Sequence, residues 1–139
     1  MLSERDQSAL LNAVPSFQPV WHKWLADQAD YVSRFPEEAL SPDDLTHELF
    51  SELASHVGAR VAAGDLGELE WLFAALEHIY NGAEEKLITQ LTVGFLESLI
   101  YSIEYSGGDP RIVHHVQKGP AGSWGWRTAF EYIHPPHEV

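Results

Sequence analysis

The chain has 139 residues, of which 45% are hydrophobic, and it contains no cysteine. A chain of this length can bury the core of one domain without metals, and without cysteine it forms no disulfide scaffold, thiolate zinc site or cysteine nucleophile. Its formal net charge of -13 argues against nucleic acid and anionic membranes as partners, because both are bound through basic surfaces.

The N-terminal part predicts two helices separated by prolines. The stretches SERDQSALLNAV (residues 3–14) and QPVWHKWLADQADYVSRF (residues 18–35) favour helix, with an interruption near Pro15 to Pro19 and an end before Pro36. The N-terminus lacks the apolar core of a secretion signal, and no segment reaches the roughly 18 consecutive apolar residues of a membrane span. We therefore expect a cytoplasmic protein.

The segment SPDDLTHELFSELASH (residues 41–56) begins a third predicted helix. Ser41 suits the N-cap, Pro42 the first helical position and Asp44 the third, where a carboxylate favours the positive end of the helix dipole. Apolar residues recur at intervals of four, as is typical of a helix with one buried face: Leu45, Leu49, Leu53, Val57 and Val61. Gly64 is a suitable stop, so the helix is predicted over residues 42–63.

Two further helices are predicted in the middle of the chain. In LGELEWLFAALEHIYNG (residues 66–82) the apolar residues follow helical spacing, and we expect this helix to pair antiparallel with its predecessor. The helix predicted over residues 84–105 is apolar around so much of its circumference that it should be the buried central helix. Its Gly94 is disfavoured in a helix by about 1 kcal/mol relative to alanine, which favours a close helix crossing there.

The C-terminal part begins with a turn at SGGDP (residues 106–110), followed by RIVHHVQK (residues 111–118), which fits a short helix or a strand equally well. SWGWRTAFEYIH (residues 123–134) predicts a last helix with Ser123 as its N-cap. We therefore predict an all-α fold, a compact antiparallel bundle of about five to seven helices that forms a single helical domain over residues 1–139. A solenoid-like stacking of helix pairs is an alternative arrangement.

The sequence contains acidic and histidine clusters but no recognisable catalytic motif. Glu48, Glu52 and His56 share one helix face, yet three ligands on one straight helix span about 12 Å, which is too long for a single ion. His114 and His115 lack the spacing of a zinc-binding HExxH helix, and AGSWG lacks the first glycine of a nucleophile elbow. We predict no enzyme activity, no catalytic residues, no cofactor and no metal site.

The acidic charge is concentrated in the middle of the chain. Residues 37–104 contain fourteen acids and two bases, Arg60 and Lys86, which gives -12 of the total -13. Polar strips lie opposite the apolar faces of two predicted helices: Glu70 and Glu77 on one, and Glu97, Tyr101 and Glu104 on the other. Ordinary solvated helix faces are the simpler interpretation. Because self-repulsion at this density costs stability, the asymmetry favours a surface that attracts a cationic partner.

The segment ELEWLFAALEHIYNGAEEKLITQLTVGFLESL (residues 68–99) resembles the pattern LF..IE.L...GD..V.N.I.VGFLE.L of small helical bacterial proteins, which continues into a tail GP.S...W..L..FW. The matching residues are Leu72, Phe73, Leu76, Glu77, Leu91, Val93, Gly94, Phe95, Leu96, Glu97 and Leu99, and in the tail Gly119, Pro120, Ser123, Trp126 and Phe130. The resemblance covers residues 45–134. The tail departs from the pattern at Trp124, in the shorter spacing from Ser123 to Trp126, and at Tyr132 and Ile133.

Proteins with this pattern are uncharacterised or are described as immunity proteins encoded beside bacterial polymorphic toxins. The resemblance implies a cytoplasmic immunity protein that binds a cognate, basic toxin and blocks its active site or substrate surface. The expected partner-binding residues are Asp44, Glu48, Glu52, Glu70, Trp71, Glu77, Glu97, Tyr101 and Glu104. The acids would steer the toxin toward this surface and pair with its Lys and Arg residues, and the two aromatic residues would anchor the complex.

Two alternatives remain open. A regulatory or structural adaptor would form a homodimer through the tryptophan-rich stretches WHKW (residues 21–24) and WGW (residues 124–126), whose simpler role is core packing. A metal-dependent enzyme would need His47, His56, His114 or His115 to converge with carboxylates from different helices.

Overall fold

A computed structural model describes residues 2–136. These residues form seven α-helices and no strand, which confirms the predicted all-α fold. The helices are α1 (Glu4–Ala13), α2 (Gln18–Arg34), α3 (Pro42–Ala62), α4 (Leu69–Gly82), α5 (Glu85–Thr89), α6 (Glu97–Tyr105) and α7 (Gly119–Ile133). Short 3-10 helices occupy Pro15–Phe17, Pro36–Glu38 and Pro110–His115, so the ambiguous RIVHHVQK stretch is largely helical.

Local signals predicted the ends of the first three helices well. The Ser41 hydroxyl accepts a hydrogen bond from the Asp44 amide at 3.1 Å, as expected of an N-cap. Ser3 caps α1 in the same way, by accepting from the Asp6 amide. α2 ends at Arg34, before Pro36, as predicted.

The central helix is continuous but changes its winding. α5 runs into a π-helical segment, Gln90–Leu96, which runs into α6. Within this segment the Thr92 hydroxyl donates to the Ile88 carbonyl at 2.8 Å and lies 2.8 Å from the Tyr80 hydroxyl of α4. A threonine hydroxyl bonded to the carbonyl four residues earlier competes with the backbone hydrogen bonds of a helix and often bends it. The predicted burial of this helix is confirmed by Leu91, Phe95, Leu96, Leu99, Ile100 and Ile103, which are inaccessible to solvent.

α3 packs along the central helix in parallel orientation. Contacts between the two advance together along the chain: Asp43 with Lys86, His47 with Gly94, Ser55 with Ser102, and Ala62 with Gly108. α4 packs mainly on α1 and α7, so the antiparallel pairing expected between α3 and α4 is not the main contact of either helix. The main helix pair of the fold is therefore formed by elements that are not neighbours in sequence.

The tightest approach between these helices lies at Gly58 and not at Gly94. A β-carbon at position 58 would overlap the Ser102 side chain and lie 3.0 Å from the Ile103 amide nitrogen. At Gly94 it would meet the His47 ring at 3.6 Å, an ordinary contact. The close crossing predicted at Gly94 is corrected accordingly, because a glycine's own helix does not show which neighbour approaches it.

α7 begins at Gly119, four residues before the predicted N-cap Ser123. The Glu77 carboxylate of α4 accepts from the amides of this first turn, so the helix does not need a cap from its own sequence. Gly119 has a positive φ of 76°, which favours glycine. The inner side of α7 buries Trp126 and Ala129 against the core.

The core contains one tryptophan from each of the two tryptophan-rich stretches. Trp21 is 1% exposed and Trp126 is 3% exposed, so both pack in the interior. Trp24 stacks on Trp21 with ring centroids 4.9 Å apart, whereas Trp124 remains 45% exposed. None of the helices within residues 2–136 is long and apolar enough to cross a membrane.

Candidate partner-binding surface

The nine predicted partner-binding residues lie on three helices, and none of them is buried. α3 carries Asp44, Glu48 and Glu52, α4 carries Glu70, Trp71 and Glu77, and α6 carries Glu97, Tyr101 and Glu104. Exposed members are Asp44, Glu70, Trp71, Tyr101 and Glu104, and half-buried members are Glu48, Glu52, Glu77 and Glu97. Helical periodicity therefore placed all nine outside the core.

Both bases of the acidic middle segment are already paired within it. The Arg60 guanidinium lies 2.5 Å from the Asp65 carboxylate and 3.4 Å from that of Glu68. The Lys86 ammonium lies 2.8 Å from the Asp43 carboxylate. Within residues 2–136 no Lys or Arg pairs with the following acids: Asp44, Glu48, Glu52, Glu70 and Glu97. Their negative charge is therefore not compensated by a neighbouring base.

The α4 group forms one side of a cleft. Glu70, Trp71 and Glu77 line it together with Ala74, Gln117, Lys118 and Gly119, and the cleft encloses about 450 Å³. The Trp71 side chain is 60% exposed, which leaves most of a large apolar ring in contact with water. Three predicted residues thus come together in one concave region with both acidic and aromatic character.

Within this cleft Glu77 has a structural task that the sequence analysis missed. Its carboxylate accepts from the Ala121 amide at 3.1 Å and from the Gly122 amide at 2.7 Å, which caps the N-terminus of α7. A β-carbon at Gly119 would lie 2.8 Å from the Glu77 carboxyl carbon, so the glycine makes room for this cap. The sequence held one signal, since Lys118, at the N-cap position, offers no acceptor.

The α6 group is flanked by further exposed aromatic residues. Tyr101 is 55% exposed, and Tyr105, one turn later, is 94% exposed. Glu104 meets the His134 ring at the end of α7, with 3.1 Å between its carboxylate and Nε2. Partial burial raises the pKa of the Glu97 carboxyl above its ordinary value. Sequence reasoning did not single out Tyr105, although it is spaced i, i+4 from Tyr101.

The acids of α3 lie on a different line of that helix from the residues that pack on the central helix. Glu48 and Glu52 lie on the helical line that leads to His56, whose ring contacts Phe17 at 5.5 Å between centroids. The central helix packs on another line of α3, which includes Ser55 and Gly58. The α4 cleft contains no residue of α6. The acids of α4 therefore line a cleft to which the acids of α6 do not contribute.

Comparison with known proteins identifies a family. The family described as Domain of unknown function (DUF7674) matches residues 8–112, from α1 to the 3-10 helix that follows α6. The chain belongs to the DUF7674 family. No curated protein and no solved structure matches the chain significantly. The membership confirms the predicted resemblance at the level of an uncharacterised family, and α7 lies outside the matched range.

In this DUF7674 member a Ser, a His and a Glu meet where the 3-10 helix after α1 contacts α3 and the start of α4. The Ser16 hydroxyl donates to Glu68 at 2.5 Å and lies 2.8 Å from His56 Nε2, while the Ser16 amide donates to Glu68 at 3.0 Å. Because the only hydroxyl proton goes to Glu68, His56 must donate to Ser16 through Nε2. Burial, with a smaller effect of Arg60, lowers the pKa of His56, which favours this neutral ring.

This arrangement differs from a nucleophilic triad. In a triad the imidazole accepts the serine proton and the acid orients the imidazole, whereas here the acid binds the serine directly. The cavity beside Glu68 and Arg60 has a volume of about 10 Å³, the size of a single water site. The three residues join the loop between α1 and α2 to α3 and α4. Their separation by 40 and 52 positions kept them out of any sequence motif.

The four histidines considered as metal ligands do not converge on one site, although His114 and His115 are neighbours in sequence. His47 lies beside Gly94, His56 binds Ser16, and His114 accepts a hydrogen bond from Trp126. Across residues 2–136 no group of three or more histidine and carboxylate side chains has an arrangement suited to a metal ion.

Proposed function

We propose that the chain is a cytoplasmic immunity protein that binds a basic bacterial toxin and occludes its active site or substrate surface. The observation that supports this most is the uncompensated acidic surface. Arg60 and Lys86 are already engaged by acids of their own segment, so the exposed carboxylates of α3, α4 and α6 are available to a partner's Lys and Arg. Complementary charge of this kind raises association rates and selects partners of opposite charge.

Trp71 is the proposed anchor of the complex. Its ring is 60% exposed and lies in a cleft between Glu70 and the start of α7. Tryptophan and tyrosine side chains in clefts contribute much of the binding energy of protein interfaces, while the charges around them mainly raise the association rate. Tyr101, which is 55% exposed, is the second anchor on α6.

The proposal is tested first by finding the partner and then by its toxicity. Tagged protein is used to capture binding proteins at low salt from the cells that encode it, and each captured protein is expressed alone and together with this chain. We expect a basic protein that stops growth alone and permits growth on co-expression. If no captured protein shows both effects, the immunity proposal is wrong and self-association would favour the adaptor alternative.

The surface is tested with matched charge reversals. Glu48→Lys combined with Glu52→Lys should slow association by about tenfold at low salt and flatten its salt dependence, since rim charges act on encounter. Glu4→Lys combined with Glu131→Lys changes the net charge equally at exposed sites outside the predicted surface and should have a smaller effect. Equal association rates for the two double variants would show that the α3 acids do not face the toxin.

The anchor is tested separately by the dissociation rate. Trp71→Ala should speed dissociation by roughly thirtyfold, which corresponds to about 2 kcal/mol, with little change in association. Trp124→Ala is the control because Trp124 is also partly exposed, at 45%, but lies on α7. Unchanged dissociation after Trp71→Ala would remove the α4 cleft from the interface.

A further inference from the structure

A cleft on α7 differs in chemistry from the rest of this acidic molecule. It encloses about 510 Å³ and is lined by residues that include Lys118, Arg127, His114, Trp126 and Phe130. A volume of this size suits a small organic molecule. The only acid of the described residues that lines it is Glu131.

Lys118 supplies a buried positive charge at this cleft. Lys118 is 8% exposed, and its ammonium donates to the carbonyls of Val116 at 2.7 Å and His114 at 3.2 Å. An ammonium has three protons, so these two hydrogen bonds leave one N–H, and the ammonium also lies 5.8 Å from the centre of the Phe73 ring. Burial lowers the pKa of Lys118, and no carboxylate of residues 2–136 forms an ion pair with it. A buried cation without a counterion is stabilised when an anion binds beside it.

The neighbouring side chains add two more donors. His114 Nδ1 accepts from the Trp126 indole N–H at 2.9 Å, so in the neutral ring the proton is on Nε2, which is then a donor. Arg127 is exposed and forms no ion pair with any acid of the described residues, including Glu131 one turn later. The polar groups that converge on the cleft are therefore mostly donors.

The remaining wall of the cleft is aromatic. Phe130 packs edge-on against His114 with ring centroids 4.6 Å apart, and its ring lies 6.3 Å from that of Trp126. An aromatic wall binds the apolar or aromatic body of a ligand, and the donors bind its charged end.

We propose that this cleft binds a small organic anion, a carboxylate attached to an aromatic body, with Lys118 and Arg127 on the carboxylate and Phe130 on the ring. A guanidinium and an ammonium together match a carboxylate better than a neutral amide because the hydrogen bonds are charge-assisted. Lys118 lines both this cleft and the α4 cleft of the proposed function, whereas Arg127 and Phe130 line only this one. The Arg127 variant therefore tests this proposal independently of the proposed function.

The test compares two probes of equal shape, indole-3-carboxylate and the neutral indole-3-carboxamide. Each is titrated into the full-length protein labelled with ¹⁵N, and the Trp126 indole N–H signal is followed by NMR. We expect saturable binding of the carboxylate, with the carboxamide weaker by about tenfold or more. No shift with either probe up to about 10 mM, or equal affinity for both, would overturn the proposal.

Variants assign the charge selectivity to the cleft. Arg127→Gln, at an exposed position, should weaken carboxylate binding by about tenfold and leave carboxamide binding unchanged. Lys23→Gln, an exposed cation on α2, is the control and should change neither. If selectivity survives Arg127→Gln, Lys118→Gln is tested next, and its loss there still supports the site. Selectivity that survives in both variants places the binding elsewhere and rejects the proposal.

Discussion

Glu70 and Glu77 lie on the same polar strip of α4 and differ in what surrounds them. Glu70 is exposed and pairs with no base of the described residues. Glu77 is half-buried and binds two amides at the start of α7. Helical spacing assigns both side chains to the same face, and only the position of α7 distinguishes a free surface acid from a cap.

Replacing Glu77 by alanine should therefore destabilise the fold by about 1–2 kcal/mol, because the first turn of α7 loses its charged acceptor. Urea unfolding followed by tryptophan fluorescence measures this directly. Glu70→Ala, on the same helix, is the matched control and should stay within about 0.5 kcal/mol of the original chain. Equal losses in the two variants would mean that the Glu77 cap contributes nothing to stability.

At the scale of elements, the helices follow from local sequence and their partners do not. The spacing of Leu45, Leu49, Leu53 and Val57 identifies the buried face of α3, and Ser41 identifies its start. The same spacing is compatible with packing against any other helix, in parallel or antiparallel orientation. Only the tertiary contacts show the parallel orientation, because pairs such as His47 with Gly94 and Ser55 with Ser102 advance together along both helices. The approach is tightest at Gly58, where Ser102 leaves no room for a β-carbon.

Gly58→Ala should cost about 1–3 kcal/mol, because the added methyl group overlaps Ser102 and forces α3 and α6 apart. Gly82→Ala provides the control, since a β-carbon there has no neighbouring atom within 4 Å. That substitution should leave the stability of the fold unchanged or raise it by about 0.4–1 kcal/mol, because alanine reduces the conformational entropy of the unfolded chain. Thermal unfolding of both variants gives the comparison, and a Gly58 variant as stable as the Gly82 variant would contradict the close packing.

For the whole molecule, charge opposes stability. The net charge of -13 comes mainly from acids of the middle segment, where few bases are present to neutralise them. Repulsion among these acids lowers the free energy of unfolding. A surface that destabilises its own fold in this way is consistent with selection for binding to a cation-rich partner, which is the trade-off inherent in the proposed function.

Salt should therefore raise the midpoint of thermal unfolding. Raising sodium chloride from about 0.01 M to about 1 M shortens the screening length from about 30 Å to about 3 Å and weakens the repulsion. The variant with Glu48→Lys and Glu52→Lys should unfold at a higher temperature than the original chain in low salt, with the difference shrinking in high salt. A midpoint that stays constant or falls with salt would show that the acids do not repel one another appreciably.

The sequence by itself determined the helices, the burial of the central helix and the exposure of Trp71 and Tyr101. Caps and periodicity act between residues within about one helical turn, so a linear reading contains them. Tertiary structure decided the parallel partner of α3, the π-helical segment beside Tyr80, the cap from Glu77, the Ser16 and Glu68 contact and the cleft at Lys118. Each of these depends on residues from separate helices, and their contacts are set by how the whole core packs.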